Sequence, residues 1–151
     1  MKPMILVRSY CPDDVNMIVN ILSEYPSPTG TFWTKKLVRK MMSDAVKEQP
    51  DGVFAAEISG DIVGFAIVMY RAWLSIAYLD YIQVATKWSN KGVGHRLIEK
   101  CIEWARAKSA RILYTETGRN NDIAIRFYKK HGFQITGYIP DYYQKSLDAV
   151  I

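Results

Sequence analysis

Along the chain the spacing of apolar and polar positions changes period several times, and each change marks an element. Met4 to Ser9 reads as a first strand, and Pro12 to Ser23 as a helix with Pro12 in its first turn and Asp13 and Asp14 placed to suit its dipole. Tyr25 to Thr31, YPSPTGT, breaks the helical pattern before a second helix from Thr34 to Lys47. Val53 to Ile58 and Ile62 to Tyr70 are strands joined at Gly60 and Asp61, a two-residue hairpin signal, and Trp73 to Val84 is a longer, aromatic-rich strand. From Gly92 to Lys108 the period becomes helical, with Val93, Leu97, Ile98, Cys101, Ile102 and Ala105 forming one stripe that faces a sheet. Arg111 to Thr115 is a strand, Asn121 to Lys130 a helix, and Phe133 to Gly137 and Ser146 to Ile151 are strands. The order predicts a mixed α/β fold, with no internal repeat, linker or low-complexity segment.

The passage from strand to helix at Ile82 to Ile98, IQVATKWSNKGVGHRLI, carries the first chemical signal. Gly92 and Gly94 let the backbone approach a ligand without side-chain interference. Their N–H groups join the unsatisfied N–H groups and positive dipole end of the helix that starts there, an arrangement suited to a pyrophosphate. A P-loop needs Lys and then Ser or Thr after its second Gly, where this chain has His95 and Arg96. A dinucleotide fingerprint needs a third Gly where Leu97 stands, and opens a βαβ unit where this chain has hairpin-like strands. By itself, the motif is equally compatible with a tight structural connection.

A second segment decides between these readings. After the strand RILYTETG comes NDIAIRFYKKHGF, Asn121 to Phe133. Together the two segments resemble the GNAT superfamily of acetyl-coenzyme A dependent N-acetyltransferases. Val84, Ser89, Gly92 and Gly94 fall at the spacings of the family's cofactor motif, and Asn121, Ala124, Tyr128, Gly132 and Phe133 at those of its second motif. The resemblance spans essentially the whole chain and is nearest in pattern to the ribosomal-protein alanine (protein N-terminal) N-acetyltransferases. It implies a single domain over 1–151, with a mostly antiparallel central sheet flanked by helices and splayed fourth and fifth strands that admit the thioester arm of the cofactor. One departure is Ser89, which stands where the family carries Arg or Gln and cannot extend a long polar side chain to the phosphates. Lys87, Lys91 and Arg96 offer positive charge nearby.

The resemblance also implies roles. Ser89, Asn90, Lys91, Gly92, Val93, Gly94 and His95 would form the pyrophosphate cradle, the backbone of Gln83 and Val84 would run beside the pantetheine arm, and Asn121 would touch the cofactor. An Asn just before a helix is also an ordinary N-cap. Tyr128 corresponds to the family tyrosine that sits near the coenzyme sulfur and acts as general acid. Glu116, five residues before Asn121, is the expected general base, with Asp80 as the rival. Tyr78 occupies the more N-terminal strand position where other members place a Glu. Tyr138, Tyr142 and Tyr143 in GYIPDYY are expected to hold the acceptor, with Tyr25 to Thr31 as an opposing wall. The acceptor is a primary amine: a peptide N-terminus, or a small amine of the polyamine or aminoglycoside kind. A non-catalytic coenzyme A binding module is the alternative.

Composition bounds the rest. At 151 residues and 49% hydrophobic, the chain suits one domain with a real core. No apolar run of membrane-spanning length and no cleavable leader are evident, so no membrane partner and a cytoplasmic location are expected, as a monomer or homodimer. Two cysteines, Cys11 and Cys101, and two distant histidines predict neither a disulfide framework nor a metal site. The net charge of +5 is spread among acidic residues, with no nucleic-acid signature, and suits a polyanionic cofactor better than DNA or RNA.

Overall fold

The computed structural model describes residues 2–25, 27 and 29–151; Pro26 and Pro28 of the expected loop lie outside the described residues. The chain forms two compact units, Met1–Tyr25 with Phe32–Leu113, and Pro26–Thr31 with Tyr114–Ile151.

The first unit is built on a sheet of order β1-β2-β3-β4-β5, from β1 (Leu6–Ser9), β2 (Val53–Ile58), β3 (Asp61–Arg71), β4 (Ile76–Val84) and β5 (Ile112–Tyr114). Successive pairs from β1 to β4 are antiparallel, and β5 joins β4 in parallel. Helices cover both faces. On one face, α1 (Val15–Ser23) and α2 (Lys35–Glu48) bury Ile18, Ile21, Leu22, Val38 and Met42 against Val53, Ala55, Phe65 and Ile67. Each such fully buried side chain contributes about 1.5–3 kcal/mol relative to exposure. On the other face lies α3 (Val93–Ala107), whose Val93 and Leu97 approach Gly64. Coverage on both sides explains why β3 is buried without a break from Ile62 to Val68. No helix among the described residues is long and apolar enough to cross a membrane.

Several boundaries differ from the sequence expectation. Residues Pro12–Asp14 form a 3-10 turn, and the α-helix starts only at Val15, because the Asp14 carboxylate turns back to accept from the Cys11 N–H at 2.9 Å. Trp73 lies outside β4. The chain turns through Ala72 to Ser75, closed by the Ser75 N–H on the Ala72 carbonyl at 3.1 Å, which leaves Trp73 80% exposed. The β2–β3 turn is Ser59–Gly60, both at positive φ, with Ile58 paired to Asp61, one residue earlier than expected. On α3 the buried stripe includes Trp104 and leaves Ile102 half-buried.

The second unit carries α4 (Asp122–Lys130) and a sheet of order β6-β8-β7, from β6 (Thr117–Gly118), β7 (Tyr138–Gln144) and β8 (Leu147–Val150). The expected strand Phe133–Gly137 is irregular, although Thr136 and Gly137 bond Ile151 through backbone at 2.8 and 2.9 Å. The ladder proper starts at Tyr138, so GYIPDYY is largely a strand. It keeps part of a loop's character: between the pairs Ile139–Ala149 and Gln144–Leu147 the register slips. Pro140 has no N–H to give the ladder, and Asp141 sits at φ 52 with its N–H on the Asp148 carboxylate at 3.0 Å.

Candidate active site

In the first unit, β4 leads through Ala85 and a 3-10 turn at Thr86–Trp88 into Ser89, Asn90, Lys91 and Gly92, and then into α3. Asn90 (φ 58) and Gly92 (φ 91) are left-handed, and Gly92 is the N-cap of α3. A glycine there has no side chain to satisfy the helix's first N–H groups, and the first turn carries no acid. Two of the other helices differ in this. Thr34 caps α2 by accepting from the Leu37 N–H at 3.1 Å, and Asn121 caps α4 by accepting from the Ala124 N–H at 3.1 Å, with Asp122 in the first turn. The N-terminus of α3, unlike those of α2 and α4, therefore has no side-chain cap for its donors; α1, which continues from the 3-10 turn at Pro12–Asp14, shares that lack but has no glycine turn before it.

Next to it opens a cleft of about 1060 Å³, lined by Lys2, Lys87, Lys91 and Arg96 together with Trp88, Asn90, Gly92 and His95. His95 lies 3.1 Å from Glu99 one turn on. Val93 is buried beneath the cradle, and Gly94 is half-buried in helical conformation. Helical backbone does not require glycine at Gly94, where it costs about 1 kcal/mol relative to alanine. What a glycine provides there is backbone without a side chain.

At the end of β4, the Ala85 N–H bonds the Val63 carbonyl at 2.8 Å, and Val84 stands opposite Gly64. Hydrogen-bonded and non-bonded pairs alternate in an antiparallel ladder, so the N–H and C=O of Val84 point away from β3. Those of Gln83, opposite Phe65, point into the ladder; of the two, only Val84 offers backbone groups to a ligand alongside β4. Tyr25, expected in an acceptor wall, instead donates its hydroxyl to the Val84 carbonyl, and Glu24 accepts from both the N–H (3.0 Å) and the hydroxyl of Thr86. Burial raises the Tyr25 pKa, helped by Glu24 and opposed by a hydrogen bond from Ser89. These α1 contacts were not foreseen, since no local pattern links positions so far apart in sequence. Asp80 lies on β4, half-buried, and Tyr78 likewise.

In the second unit, Glu116 is half-buried just before β6, and its carboxylate accepts from the Tyr142 hydroxyl at 3.2 Å. Tyr142 meets Tyr143 edge to face at 4.8 Å, and Tyr138 lies under the Arg119 guanidinium at 4.7 Å. Asn121 also donates to the Thr117 hydroxyl at 3.3 Å. Tyr128 is set by the end of α4. Gly132 takes φ 90, the Phe133 N–H bonds the Tyr128 carbonyl at 3.0 Å, and the two rings meet at 5.3 Å. The spacing of Tyr128, Gly132 and Phe133 is thus that of a helix C-cap closed by a hydrophobic contact.

Comparison with known proteins agrees with both motifs: the model of the acetyltransferase (GNAT) family matches residues 15–133. The chain belongs to this family. Among its relatives is an uncharacterized N-acetyltransferase of Methanocaldococcus jannaschii, 34% identical over 106 residues, covering 66% of this chain and 46% of that protein. The chain spans about half the length of the first curated relatives it matches. The crystal structure of Ard1 from Thermoplasma volcanium superposes with a TM-score of 0.81 at 26% identity, covering 97% of this chain and 93% of that one. A putative streptothricin acetyltransferase from Bacillus anthracis, solved in complex with acetyl coenzyme A, matches at 32% identity and a TM-score of 0.61 over 65% of this chain and 58% of that one. The mixed α/β fold expected from the sequence is the fold of these GNAT neighbours.

Proposed function

We propose that the protein transfers an acetyl group from acetyl-coenzyme A to a primary amine, and that the amine is the N-terminus of a peptide. The observation that carries the cofactor assignment is the start of α3: donors left without a side-chain cap, no acid in the first turn, and a cationic cleft beside it. Gly92, Gly94 and the neighbouring N–H groups would hold the pyrophosphate, with charge from Lys87, Lys91 and Arg96 and the backbone of Val84 alongside the pantetheine arm. Bound there, acetyl-coenzyme A supplies an acetyl group activated as a thioester. The solved streptothricin acetyltransferase, with acetyl coenzyme A bound, supports this choice of donor.

The chain's own residues handle protons. Glu116 is the proposed base that takes a proton from the attacking amine, held by the Tyr142 hydroxyl on one carboxylate oxygen. Tyr128 is the proposed acid, its ring fixed by the cap at Phe133 so that the hydroxyl holds one position. The exposed aromatic surface of Tyr138 and Tyr142, with half-buried Tyr143, supports a peptide acceptor, because tyrosine presents a large apolar face with a polar tip.

The test follows free thiol release from acetyl-coenzyme A against peptides of varied first residue, polyamines and aminoglycosides. Turnover with peptides is expected; turnover confined to polyamines or aminoglycosides would replace the acceptor class, and none with any amine would favour a binding module. Glu116→Gln should lower kcat by about 10²-fold or more while acetyl-coenzyme A still binds. A normal Glu116→Gln beside an inactive Asp80→Asn would move the base to Asp80.

A further inference from the structure

The end of α1 holds the exit of β4 at two residues. The Tyr25 hydroxyl donates to the Val84 carbonyl, and the Glu24 carboxylate takes both the N–H and the hydroxyl of Thr86. These contacts fix the exit of β4 at its last residue and at the first residue of the 3-10 turn that follows. They come from a rigid support. Ile18, Ile21 and Leu22 bury α1 in the core, and the Tyr25 ring packs on the same cluster. Val84 is the residue whose backbone groups face away from β3, so its orientation decides what a ligand beside β4 meets. A carbonyl oxygen has two lone pairs, and Tyr25 uses one while fixing the peptide plane.

We propose that Glu24 and Tyr25 are positioning residues that set acetyl-coenzyme A affinity by holding the β4 exit and the Ser89–Gly92 cradle in their binding geometry. The inference rests on the cofactor reading above and assigns Tyr25 away from the acceptor. Preorganisation of this kind lowers the ordering cost of binding and leaves the chemical step alone.

The experiment measures Kd for acetyl-coenzyme A by titration calorimetry, together with kcat and the KM of each substrate, for wild type, Tyr25→Phe, Glu24→Gln and Thr86→Val. Tyr25→Phe keeps the ring in the core and removes only the hydroxyl. The expected result is a Kd raised about three- to tenfold in Tyr25→Phe, the worth of one hydrogen bond, with kcat falling by less than about twofold. Glu24→Gln and Thr86→Val should each weaken binding, and their double variant should lose less than the two effects combined. An unchanged Kd in Tyr25→Phe overturns the proposal, as does a rise confined to the amine KM, which would return Tyr25 to the acceptor site. Failure of wild type to bind acetyl-coenzyme A would strike down the cofactor reading itself, a result distinct from both.

Discussion

Arg8 and Asp14 form a two-pronged charge pair in the first unit. The guanidinium donates to both carboxylate oxygens of Asp14 at 2.8 and 2.9 Å and to Glu57 at 3.1 Å, and Asp14 is buried. Burial pushes the Asp14 pKa up, but the hydrogen bonds from Arg8 and from the Cys11 N–H outweigh it and hold the carboxyl below its ordinary value. The native state therefore favours the ionised form. Its contribution to stability is complete above the unfolded pKa of about 3.9 and is lost as pH falls through the lower native value. Arg8→Ala should cost about 2–3 kcal/mol at neutral pH, by leaving a buried carboxylate with backbone donors alone. Urea denaturation at neutral pH and near pH 3 checks this: the gap between wild type and variant should narrow in acid, and a constant gap would assign the loss to packing. Residues of this sort are hard to read in advance. Asp13 and Asp14 look alike beside Pro12, and only the fold shows Asp14 buried and Asp13 exposed. The local bonds of Tyr128, Gly132 and Phe133 were legible, whereas the bond from Tyr25 to Val84 was not, because its partner is on another element.

Among the elements, α3 does most to form the cradle, and Gly64 sets how closely it packs. A Cβ at Gly64 would lie 3.0 Å from both the Gln83 carbonyl oxygen and Leu97 Cδ1, and 3.2 Å from Val93 Cγ1. Gly64→Ala should therefore destabilise the fold by about 1–3 kcal/mol, because backbone on one side and the helix on the other must give. It should also weaken acetyl-coenzyme A binding by displacing the first turn of α3. Chemical denaturation with and without the cofactor reads both effects; an unchanged midpoint would mean that α3 has room to shift. The period of apolar residues predicted the helices well, since α2 and α3 keep a strong stripe over several turns. Strand ends were read less accurately for identifiable reasons. Trp73 and Leu74 have strand-forming side chains but stand in a turn closed by backbone bonds. The ladder of β7 begins late because its partner β8, and not its own composition, sets the register.

At the scale of the whole molecule, the central proposal is that acetyl-coenzyme A binds at the start of α3 and that its phosphates need the side-chain-free backbone of Gly94. Overall charge agrees: +5 on 151 residues favours a polyanionic ligand, and four of the cations line the cleft beside the cradle. Scanning calorimetry of wild type and Gly94→Val, each with and without acetyl-coenzyme A, is the most direct test. Valine is a better helix former than glycine, so the variant without cofactor should melt no lower than wild type. At a hundred times Kd the cofactor should stabilise wild type by about 2.7 kcal/mol. For a chain of this size that corresponds to about 5–10 °C in Tm. The account predicts this shift in wild type and its loss in Gly94→Val; a wild type that does not shift, or a variant that shifts equally, would contradict it.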